Sequence, residues 1–119
     1  MEYKITSTIN EDILEIGLVG QADMEDTNTI ALKVIGMVKE IMPKYLIVDL
    51  RLMESRPSIL NAFNLINSYP AETPHIKTAI IDTEQKKSRM SFFETASVNV
   101  GFPIHIFSDM DSARSWLKS

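Results

Sequence analysis

Cysteine is absent from the 119 residues. That excludes disulfides, thiolate zinc sites and cysteine nucleophiles together. Glycine is scarce. The four, at positions 17, 20, 36 and 101, make neither a GxGxxG nor a P-loop, so a glycine-rich phosphate cradle is excluded as well. No GxSxG elbow occurs. The two histidines, His75 and His105, fall in neither HxH nor HxxxH spacing, which leaves no metal motif. No apolar run approaches the ~18 residues of a membrane helix, and Met1-Glu2-Tyr3-Lys4 opens no signal peptide. Basic charge is also short: twelve Lys and Arg against sixteen Asp and Glu leave −4, which speaks against a duplex nucleic-acid partner. These absences describe a cytoplasmic domain with no cofactor, no metal, no nucleic acid and no membrane span.

What is present supports a packed core. The apolar fraction is 45% and the charged fraction 24%, ordinary for one folded domain spanning 1–119. The acids are concentrated: residues 1–30 carry Lys4 against seven acids, a net of −6, and the remainder carries +2. This reads first as a solvated acidic face, with a surface for a basic partner as the sharper alternative.

Tyr3, Ile5, Ser7 and Ile9 alternate with Lys4, Thr6 and Thr8, the pattern of a half-exposed strand. Asn10-Glu11-Asp12 is turn chemistry. Ile13 to Val19 follows as a second strand, with Leu14, Ile16 and Leu18 on its apolar face. Asp23, with Asp26 three residues on, predicts a capped helix over 23–42, ended by Pro43. Tyr45-Leu46-Ile47-Val48 is apolar at every position, as in a strand covered on both faces. Pro57 suits the first turn of a second helix bearing Ile59, Leu60, Phe63 and Ile66. Ile76 to Ile81 reads as a strand, and Asp82 or Thr83 starts a third helix to about Val98, closed by Gly101. Ile104 to Phe107 is the last strand. Ser108, with Asp111, caps a final helix burying Ala113, Trp116 and Leu117. The order is ββαβαβαβα, a single-domain α/β protein with a mixed sheet. Its strand order stays open, as does packing of helices on one face or two.

Chemistry is sparse. The opening of the second helix, Glu54-Ser55-Arg56-Pro57-Ser58, joins backbone N–H groups to a guanidinium, which suits an anion or a phosphorylated hydroxyl. The plainer reading is Ser55 as N-cap. Lys86, Lys87 and Arg89 at the third helix read as a solvated face, or as a contact for an acidic patch. Met24, Met37, Met42, Met53, Met90 and Met110 read as core gap-fillers, with an adaptable binding groove as rival. Asp49, Arg51, Asp82 and Glu94 could gather near one end of the sheet as a catalytic site would require, but they read first as an ion-pair network around the loop ends.

Several strings carry a family resemblance: Val48-Asp49-Leu50-Arg51, Arg56-Pro57-Ser58, Phe93-Glu94-Thr95-Ala96, Val98-Asn99-Val100-Gly101 and Ile106-Phe107-Ser108-Asp109. With the element order, they resemble the STAS-like group, the SpoIIAA-like fold of bacterial anti-sigma-factor antagonists. They look nearest to a divergent branch grouped with CRAL-TRIO-like lipid-transfer domains. The resemblance implies a non-enzymatic signalling module that binds a protein partner, a regulatory kinase or anti-sigma-like factor. It also implies a phosphorylated serine at the start of the helix after the central strand, which places Ser58 first and Ser55 second. In place of the usual Asp-Ser-Ser-Gly string this chain has Arg56-Pro57-Ser58-Ile59. Asp49, Arg51, Arg56, Glu94 and Asn99 are the candidate interaction or ligand residues. The alternative is a domain that binds or senses a small apolar ligand. A homodimer, if formed, is expected to use helices or loops, because Lys4 discourages pairing at the first strand.

Overall fold

A computed structural model of the chain describes residues 2–56, 67, 69–88 and 90–119. The predicted second helix and Ser58 lie outside those residues. β1 (Tyr3–Asn10) and β2 (Ile13–Gly20) form the expected antiparallel hairpin. Its turn is tight enough that Glu11 takes a left-handed φ of 57°. β2 then pairs in parallel with β3 (Tyr45–Met53), β3 with β4 (Lys77–Ile81), and β4 with β5 (Ile104–Phe107). The strand order is sequential, β1-β2-β3-β4-β5. Each parallel connection therefore steps one strand outward from the hairpin.

Helices cover both faces. α1 (Met24–Ile41) presents Ile30, Val34 and Val38 to Leu14, Ile16, Leu18 and Leu46. Asp23 and Asp26 complete a reciprocal capping box at its start, as the sequence predicts. At its end Met42 is left-handed (φ 54°) immediately before Pro43, since the residue preceding proline is barred from right-handed helix. The opposite face of the sheet carries α4 (Met110–Leu117), whose Ala113 and Leu117 pack on Ile13, Ile47, Ala79 and Ile81. β3 and β4 thus lie between two apolar layers, which is why their residues are apolar almost throughout.

Three expectations are corrected. The third helix is divided into α2 (Glu84–Lys87), capped by Thr83, and α3 (Ser91–Asn99). The Met90 N–H is shared between the Lys86 and Lys87 carbonyls, and the Ser91 hydroxyl donates to Ser88 O. This tight turn brings Met90 into the core beside Phe93, Ile104 and Ile106. The final helix is capped by Asp109 rather than Ser108, its carboxylate accepting from Ser112 N–H at 2.7 Å. Finally, Met53 and Met90 are buried, but Met24 and Met42 are 58% and 81% exposed and fill no gap, one opening a helix and the other ending it.

Candidate functional site

The four parallel strands end on the same side of the molecule, so the segments after Gly20, Met53, Ile81 and Phe107 gather there. Asp49 and Arg51 stand two apart on the β3 end and form a fork. The Arg51 Nε and Nη2 donate to the Asp49 carboxylate at 3.0 and 2.9 Å, and the Arg51 backbone N–H adds a third bond. Burial alone raises the Asp49 carboxyl. The three Arg51 bonds and its charge outweigh that, holding the group below the usual carboxylate range. Lys87 and Asp109 belong to the same charged cluster: both Arg51 and Lys87 act electrostatically on Asp109.

Arg56 is placed differently. Its side chain is 4% exposed, and all five donors are engaged. Nε and Nη2 grip Asp82 at 2.9 and 2.6 Å, and the remaining N–H groups reach the carbonyls of Leu50, Met53 and Ser55. Asp82 is fully buried and also accepts from Thr83 N–H. The guanidinium therefore locks the ends of β3 and β4 together, and no donor is left for an anion. Ser55 is engaged as well, its hydroxyl donating to Ala22 O at 2.8 Å and accepting from Ala22 N–H at 3.3 Å.

Glu94 and Asn99 are not part of this cluster. Glu94 reaches from α3 to the outer edge of β5, where it accepts the Ile106 N–H at 2.7 Å and lies 3.5 Å from His105 Nδ1. Asn99 is exposed at the last turn of α3, two residues before Gly101, whose carbonyl meets His75 ahead of β4. That is the opposite end of the strands. Asp49, Arg51, Asp82 and Glu94 are accordingly divided among three separate contacts. Among the described residues no group of three His, Asp or Glu is arranged to hold a metal ion. No described helix is long and apolar enough to cross a membrane.

An apolar recess of about 180 Å³ lies between α1, α3 and the sheet, lined among others by Val34, Val48, Met53, Met90 and Phe93. Sequence reasoning missed the Arg56–Asp82 pair and the role of Glu94. The first carries one signal, a charge just beyond the end of each of two neighbouring parallel strands. The second has no local signal, because a carboxylate on a helix gives no sign of which strand edge it reaches.

The architecture defines the class by its fold: a five-stranded mixed α/β sheet whose strand order matches a SpoIIAA-like fold. It is similar over 99% of its length to an anti-sigma factor antagonist from Mycobacterium paratuberculosis, covering 96% of that chain at 15% identity with a TM-score of 0.67. It is also similar over 97% of its length to an uncharacterized protein of the DUF3478 family with a SpoIIAA-like fold from Shewanella loihica PV-4. There it covers 93% of the other chain at 18% identity, with a TM-score of 0.57. At such identities the likeness establishes the fold. No protein-family model matches the sequence. No curated protein matches it either. Neither structural likeness points to CRAL-TRIO-like domains.

Proposed function

We propose that this chain is a non-catalytic regulatory module that acts by binding a protein partner of the kinase or anti-sigma type. The observation that carries the reading is the near-complete two-way coverage with an anti-sigma factor antagonist. The contact surface in this reading is the carboxyl end of the strands, with the exposed Asp49–Arg51 fork, Lys87 and Asp109 as its charged part. Ser58 is the first candidate for phosphorylation and Ser55 the second. A phosphate on Ser55 would remove the hydroxyl proton that it donates to Ala22 O, which favours Ser58. Incubation with ATP and a serine kinase of the anti-sigma class, followed by intact-mass measurement, tests the switch. One added phosphate, absent in Ser58→Ala, supports it. An unmodified mass removes the switch, and loss of kinase binding in Arg51→Glu then tests the docking surface on its own.

The second reading, a binder of a small apolar ligand, rests on the recess beneath α1. At about 180 Å³ it is smaller than the ~300–1,000 Å³ usual for ligand pockets, so it ranks behind the first. A persistent extra mass in native mass spectrometry would favour it, and a clean apo mass would remove it.

A further inference from the structure

The two edges of the sheet are treated differently. β5 has only four residues, and its outward Ile106 N–H is already taken by the Glu94 carboxylate. β1 has eight residues, no proline and no bulge against its partner. The hydrogen-bond phase of that strand follows from one contact. Gln21 N–H donates to Glu2 O at 2.8 Å, and the register continues Tyr3↔Gly20, Lys4↔Val19. In an antiparallel ladder the hydrogen-bonded pairs alternate, so Glu2, Lys4, Thr6, Thr8 and Asn10 bond to β2. The N–H and C=O groups of Tyr3, Ile5, Ser7 and Ile9 consequently point away from the sheet.

We propose that β1 pairs with β1 of a second copy of this chain, in antiparallel register about a two-fold axis through Thr6, to form a continuous ten-stranded sheet. The phase of the strand and its side chains together suit a second copy of the same strand. With Thr6 opposite Thr6, Tyr3 faces Ile9 and Ile5 faces Ser7, so every outward N–H of one copy meets an outward C=O of the other. The same register keeps each strand's apolar side on one face of the joined sheet. It covers Ile9, which is 61% exposed in the single chain, with Tyr3 of the second copy. Lys4 falls opposite Thr8, so the lysine that ordinarily protects an edge meets no like charge. Thr6 opposite Thr6 is itself a favourable cross-strand pair. Because Glu94 occupies the β5 edge, β1 of one copy has no matching edge at β5 of the next, and association closes as a dimer. The interface thus differs from the helix or loop contact that Lys4 alone suggests. Each copy carries −4, and Glu2 approaches the Asn10–Glu11 end of the other, so added salt should strengthen the pair.

Sedimentation across a wide concentration range tests this. Wild type should reach twice the 13.5 kDa chain mass. Thr6→Lys and Thr6→Glu each place like charges at the axis and should stay at the single-chain mass, whereas an equimolar mixture should recover a dimer containing one of each. Ser7→Pro removes an outward N–H but none used by β2, and should also be monomeric with unchanged circular dichroism. Recovery in the mixture cannot come from misfolded chains. A monomeric wild type at every concentration, a dimer that survives Ser7→Pro, or a mixture that stays monomeric would each overturn the proposal. In the first case the edge would be left for a strand of another protein.

Discussion

Arg56 stands at the residue scale as the clearest case of a charge with a structural task. Its guanidinium and Asp82 are both out of water, each fully hydrogen-bonded. Removing one partner strands the other charge in the interior, at a cost of about 3–5 kcal/mol. Arg56→Ala and Asp82→Ala should therefore each lower the urea midpoint severely, while Arg56→Met combined with Asp82→Leu should recover most of the loss. If both single variants unfold at the wild-type midpoint, the pair is not what joins β3 to β4. Tyr69 offers a second test. Burial pushes its phenol up to about 12 from an ordinary 10. The folded state holds the proton more tightly, so this stabilisation is complete below pH ~10 and lost as pH rises towards 12. The shift corresponds to at most about 3 kcal/mol, and less here because the ring, set edge-on to Phe102, is only partly covered. Alkaline unfolding should accordingly be shallower between pH 10 and 12 in Tyr69→Phe than in wild type.

Elements are where the sequence was most legible. The period-two run Leu14-Glu15-Ile16-Gly17-Leu18, the all-apolar Leu46-Ile47-Val48 and the Asp23–Asp26 box correspond to β2, β3 and the start of α1, because each pattern has only one compact way to bury itself. Legibility failed where two neighbouring residues offer the same chemistry. Ser108 and Asp109 are both good caps, and the choice between them is a tertiary matter, since the helix must start where Ala113 and Leu117 seat on the sheet. It failed again at Ser88, where nothing in the helical spacing announces a break, and the burial of Met90 beside Phe93 decides it. The cap assignment is directly testable: Asp109→Ala should lower Tm, and Ser108→Ala should leave it nearly unchanged. The Ser112 N–H holds the Asp109 carboxyl below its usual range. Its contribution is therefore present above the ordinary carboxylate pKa and fades as pH falls through the lowered value. The Tm difference between Asp109→Ala and wild type should shrink in acid. At the other cap, Asp23→Ala removes the carboxylate that accepts the Asp26 N–H, leaves the Asp23 N–H bond to Asp26 in place, and should cost about 1 kcal/mol of unfolding free energy.

For the whole molecule, what sets association is how a sheet with two ends disposes of them. Strand order followed from neither composition nor spacing, since sequential and interleaved orders suit the same ββαβαβαβα string. Once it is β1-β2-β3-β4-β5, the outermost strands are the hairpin's first and the chain's last. The short last strand is closed by a carboxylate, Glu94 on Ile106 N–H, with His105 Nδ1 3.5 Å away. Glu94→Ala should lower stability only modestly, because the freed N–H can turn to water at the rim. Its larger effect belongs to assembly. With both edges open, β1 of one molecule and β5 of another become mutually available, and a head-to-tail contact of that kind need not close. Dynamic light scattering should then show concentration-dependent growth of large species in Glu94→Ala, absent in wild type and suppressed by adding Ser7→Pro. A double variant that grows as readily as the single one would mean that β1 takes no part, and that the carboxylate merely holds α3 against the sheet.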